Sequence, residues 1–142
     1  MLKIVKEEYD RIVAHAVNGL PNEACGLAAG TQEGEDRIIR KAYCLSNTDN
    51  SPEHFSMDPK EQFKVIADIR ANGFTLLGNF HSHPATPARP SQEDIRLAFD
   101  PRLIYIIVSL KDGTPVLKSF SIRQGASCEE FYVVLENETA AI

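Results

Sequence analysis

Tyr9, Ile12, Val13, Ala16, Val17 and Leu20 recur at intervals of three and four, a spacing that predicts an amphipathic helix closed by Gly19 and Pro21. Residues 26–30 and 36–45 read instead as two strands joined by the polar turn T-Q-E-G-E-D. A second helix is signalled by Asp58 as N-cap, Pro59 at the first helical position and Glu61 at the third. Phe63, Ile66 and Ile69 form its expected apolar face, and Asn72-Gly73 its stop. Residues 74–83 then form an extended run, 91–99 a short helix, and 103–110 a strand apolar on both faces, hence central and buried. The turn K-D-G-T precedes a strand over 115–122, and 131–136 predict a last one. Helices interleaved with hairpin-like strand pairs imply a mixed sheet with helices packed on its faces, an α/β or mixed α+β sandwich.

Composition narrows the class. A chain of 142 residues with 43% apolar and 25% charged residues is expected to form a single domain, residues 1–142, around one core. A net charge of -5 without any basic cluster argues against a nucleic-acid partner. The run M-L-K-I-V-K-E-E-Y-D lacks the apolar core of a signal peptide, and no later run has the length of a membrane helix, so the expected location is cytoplasmic with no membrane association. Cys25, Cys44 and Cys128 are widely spaced and suggest reduced thiols rather than a disulfide framework or a Cys-x-x-Cys metal site.

The candidate chemistry lies in the run H-S-H-P-A-T-P-A-R-P-S-Q-E-D, residues 81–94. In an extended backbone His81 and His83 point to the same side and can reach one ion. A carboxylate from the next helix, Asp94, could complete a two-His, one-Asp site with an open fourth position, as catalytic zinc requires. Ser91 and Asp94 also fit a variant capping box, S-x-x-D ahead of an apolar run, in which both side chains merely satisfy helix-end amides. Pro84, Pro87 and Pro90 stiffen the intervening loop. His15, on the first helix, and His54, in a polar loop, have no partner at ligand spacing, and surface or packing roles are expected for both. Cys25 is a rival nucleophile for a thiol hydrolase, but a thiol mechanism leaves the Ser-x-x-Asp spacing unexplained.

The spacing His-x-His, seven residues, Ser, two residues, Asp resembles the JAMM motif of the JAB/MPN metalloprotease family. The segment P-N-E-A-C-G-L, with Glu23, is similar to the family's stretch around its catalytic Glu. The run N-T-D-N-S-P-E-H-F-S-M-D-P, residues 47–59, is similar to the short bacterial members. This resemblance implies a curved, barrel-like mixed sheet of the cytidine-deaminase-like class. It also implies one zinc ion held by His81, His83 and Asp94, Glu23 as general base, and Ser91 as oxyanion donor. The implied activity is hydrolysis of the amide bond after the C-terminal Gly-Gly of a ubiquitin-like protein, with a sulfur carrier as the partner of the short bacterial members. The alternative is a non-catalytic MPN-type protein-binding scaffold, although such members typically lack part of the ligand set that is complete here.

Overall fold

The computed structural model describes residues 1–136. Over these, the elements run β1 (Leu2–Val5), α1 (Lys6–Asn18), β2 (Cys25–Glu33), β3 (Asp36–Leu45), α2 (Pro59–Ala71), β4 (Thr75–His83), α3 (Gln92–Arg96), β5 (Ile104–Ser109), β6 (Val116–Arg123), β7 (Ala126–Glu130) and β8 (Tyr132–Leu135). All eight strands join one mixed sheet in the order β7-β6-β5-β4-β2-β3-β1-β8. β7 and β8 are the two ends of that order, yet Phe131 alone separates them in the chain. The sheet therefore curls until its ends approach each other, and the Tyr132 hydroxyl of β8 donates to the Leu117 carbonyl of β6 at 2.8 Å. This is the curved sheet that the family resemblance implied.

Helices cover both faces. On β3, Ala42 joins the core cluster with Ile12 and Ala16 of α1, whereas its neighbours Lys41 and Tyr43 both reach Asp68 of α2, at 3.1 and 2.6 Å. Alternation along the strand puts these two sets on opposite sides. Ile4, Ile39, Phe80, Ile104, Ile106 and Val108 lie in the same cluster. β5 is buried along its whole length, as its double-sided apolar run predicts.

Several expectations are corrected. Of the stripe on α1, Ile12 and Ala16 are buried, but Val17 and Leu20 lie 45% and 47% exposed. The buried place nearer the start of α1 is taken by Glu8, whose carboxylate accepts the Ala42 N–H at 2.9 Å and pairs with Arg11. On α2 only Ile69 is buried, and Phe63 is 77% exposed, because six residues at about 100° each leave Phe63 about 120° round the helix from Ile69, off the buried face. The turn between β2 and β3 shrinks to Gly34-Glu35, and α3 stops at Arg96 rather than Phe99. β1 and β7 were not expected.

Among the described residues no helix is long and apolar enough to cross a membrane.

Candidate metal centre

His81 and His83 close β4, both only 4% exposed. Ser82 between them faces the other way, towards Ala24. Its Oγ accepts the Ala24 N–H at 2.8 Å, and its own N–H donates to the Ala24 carbonyl at 2.9 Å. The antiparallel register pairs Cys25 with His81, so the chain entering β2, which carries Glu23, runs beside the end of β4. Gly26 makes this approach possible, since a Cβ there would collide with the Tyr43 carbonyl and the Phe80 ring.

α3 brings in the carboxylate. Ser91 is its N-cap: Ser91 Oγ accepts the Asp94 N–H at 3.0 Å, and Asp94 Oδ2 accepts the Ser91 N–H at 2.9 Å. The capping box and the metal-ligand alternatives therefore describe one arrangement, because the same Oδ2 lies 3.2 Å from His81 Nε2 and 3.1 Å from His83 Nε2. The two Nε2 atoms are themselves 3.1 Å apart. These edges approach the roughly 3.3 Å between two ligand atoms each about 2.05 Å from a tetrahedral zinc.

Chemistry of the donors supports the same fit. His83 Nδ1 lies 2.9 Å from the Pro87 carbonyl, which can only accept, so Nδ1 carries the proton and neutral His83 turns the lone pair of Nε2 inward. Lone pairs and a carboxylate oxygen gathered this closely repel one another unless a proton or cation lies among them. Burial pushes the Asp94 carboxyl up, but in the metal-free protein hydrogen bonds from His81 and His83, when these carry a proton on Nε2, outweigh it and hold Asp94 well below the usual carboxylate range. His81, His83 and Asp94 thus form a group able to hold a metal ion. His81 Nδ1 is buried with no hydrogen-bond partner among the described residues, and the Phe55 ring stacks on this imidazole at 4.7 Å.

Hollows flank the group on two sides. A cleft of about 320 Å³ is lined by Glu23, His83 and Ser91, with His54 and Glu93 at its wall. A smaller recess of about 60 Å³, lined by His81 and Asp94 together with Phe55, Leu97, Tyr105 and Ile107, is mostly apolar. Glu23 is 6% exposed, and burial raises its carboxyl to about 7 against the pull of nearby His83. A carboxylate with that pKa is matched to exchanging protons at neutral pH.

The other singled-out residues fall elsewhere. The Cys25 thiol is fully buried, donates towards the Ser46 carbonyl at 3.6 Å, and is pushed up to about 12 by burial and by Glu61; it is no nucleophile at neutral pH. His15 packs edge-on against Phe80 and sets its Nε2 3.1 Å from the carbonyls of both Cys25 and Leu45. His54, for which a surface or packing role is expected, is exposed, and it also stands in the cleft wall, 2.8 Å from Glu93. Phe55, Asn47 and Ser82 lay outside the sequence-based site. Only the resemblance of residues 47–59 to the short bacterial members pointed to the first two.

Residues 5–123 match a protein family described as prokaryotic homologs of the JAB domain. The chain is 37% identical over 137 residues to the CysO-cysteine peptidase of Mycobacterium tuberculosis, covering 96% of this chain and 92% of that one. It is 32% identical over 133 residues to the desampylase of Pyrococcus furiosus, covering 94% and 90%. Its fold matches the solution structure of protein DSY2949 from Desulfitobacterium hafniense with a TM-score of 0.87 at 53% identity, over 96% of this chain and 94% of that chain.

Proposed function

Because the chain belongs to the family of prokaryotic JAB-domain proteins, we propose that it is a zinc-dependent peptidase or isopeptidase that hydrolyses the amide bond after the C-terminal Gly-Gly of a ubiquitin-like sulfur carrier. The observation that carries this reading is the convergence of His81 Nε2, His83 Nε2 and Asp94 Oδ2 beside a buried carboxyl raised to about 7. One zinc ion per chain, held by these three atoms, would supply Lewis acidity, activating water at neutral pH and polarising the scissile carbonyl. The relatives named as peptidase and desampylase support a hydrolase.

Glu23 takes the proton of the attacking water and returns it to the leaving amine. Ser91 accepts the Asp94 N–H and keeps its hydroxyl hydrogen, which it donates to the oxyanion of the tetrahedral intermediate. Its backbone N–H meanwhile holds Asp94 Oδ2 in place. A glycine tail suits such a site because it can lie extended without side-chain clashes. The folded body of the carrier would add binding energy remote from the bond cut.

The test is to incubate the zinc-loaded protein with Gly-Gly carriers extended by one residue and to weigh the carrier by mass spectrometry. Loss of that residue is expected, blocked by a chelator and restored by zinc. Binding of every carrier with none trimmed would replace this reading by the scaffold one.

A further inference from the structure

Residues 47–57 form a strap over the site whose hub is one side chain. Asn47 Nδ2 donates to the Glu23 carbonyl at 3.0 Å and to the His54 carbonyl at 2.9 Å, with Ser51 O at 3.5 Å, while its Oδ1 accepts the N–H groups of Asp49 and Ser56 at 3.0 and 3.2 Å. Exchanging nitrogen and oxygen would turn every one of these contacts unfavourable, so the partners fix the amide's orientation. The strap also grips Glu23 from its other end, through the Glu23 N–H to the Ser51 carbonyl at 2.8 Å. Both backbone polar groups of Glu23 are thus held by this one segment. The same segment lays Phe55 on His81 and joins His54 to Glu93, and its start is anchored where Glu61 of α2 accepts the Ser46 N–H at 2.8 Å.

We propose that Asn47 is a positioning residue for Glu23, its amide locking the strap to the base's own peptide so that the carboxylate and the His81–His83–Asp94 group keep one relative placement. This rests on the reading of Glu23 as the base. Ser82 fixes Ala24 on the side of β4, and Asn47 supplies the opposing hold. Without it, Glu23 retains its side chain and its N–H bond to the Ser51 carbonyl, but its own carbonyl loses its donor and the strap loses the hub that holds Ser51 in place.

Asn47→Asp is the sharpest probe, since it keeps an acceptor for Asp49 and Ser56 and loses the donors to Glu23 and His54. Asn47→Ala serves if the aspartate variant does not fold. Thr48→Val, which removes only the 3.1 Å hydroxyl bond to Ser56 O, controls for strap stability. Two readouts apply: hydrogen exchange of the Glu23 amide by NMR, which needs neither metal nor turnover, and kcat and KM on a Gly-Gly carrier extended by one residue. In Asn47→Asp the Glu23 amide should exchange at least tenfold faster, and kcat should fall by about 10- to 100-fold with KM and zinc content unchanged. Thr48→Val should alter neither. Unchanged protection at Glu23 overturns the proposal, as does wild-type kcat in zinc-loaded Asn47→Asp or an equal loss in Thr48→Val. If Glu23→Gln itself stays active, it is the base assignment that fails.

Discussion

As the proposed base, Glu23 has to meet two opposing demands, because such a group must be withdrawn from bulk water yet must still ionise near neutral pH. Burial raises it to about 7 from an ordinary 4.5. The unfolded chain therefore releases this proton first, and between pH 4.5 and 7 the folded, metal-free protein binds more protons and loses stability as pH rises. Metal-free Glu23→Gln should then be more stable than metal-free wild type at pH 8, by roughly 1–3 kcal/mol, with the gap closing towards pH 4. Paired urea titrations at the two pH values check this, and a gap independent of pH would contradict it. With metal present the same variant should retain zinc and lose hydrolysis. His81→Ala, His83→Ala and Asp94→Ala should each lose zinc, since two protein donors hold a catalytic ion poorly. Full zinc content in all three by elemental analysis would refute the ligand set. Ser91→Ala should keep zinc and slow turnover by about 10²-fold, the usual cost of one lost oxyanion donor.

At the scale of elements, the site depends on β2 and β4 coming close, and Gly26 sets that approach. Gly26→Ala should destabilise the protein by about 1–3 kcal/mol, because the new methyl would meet the Tyr43 carbonyl and the Phe80 ring; a denaturant midpoint equal to wild type would refute the packing account. Which elements were legible follows from where their stabilising contacts lie. α2 announces itself through Asp58 and Pro59, and β5 through six consecutive buried residues. β1 is four residues, L-K-I-V, running into α1 with no turn to mark it, and it exists because β3 and β8 pair with it on either side. β7, A-S-C-E-E, has no apolar alternation; the turn at Gln124-Gly125, with φ of 52° and 77°, folds it back on β6. The metal group was legible because its donors fall within fourteen residues. The Asn47–Glu23 and His54–Glu93 contacts span 24 and 39 positions, and no local pattern encodes them.

For the whole molecule, the curl of the sheet and the placement of α3 bring donors from β4 and α3 to one point beside Glu23, the proposed base, in the connection entering β2. Zinc held there as proposed would tie stability to metal: at zinc a hundredfold above its dissociation constant, mass action adds about 2.7 kcal/mol, so zinc should raise the melting temperature of wild type and not of Asp94→Ala. The most direct test of the account strips the protein with a chelator and titrates zinc back while release of the terminal residue from an extended Gly-Gly carrier is followed. No release is expected without metal, and activity should saturate at one zinc per chain. Glu23→Gln should release none at any zinc level while taking up the same single equivalent. Full activity in the stripped protein, or a zinc-saturated wild type that releases nothing from its cognate carrier, would contradict it.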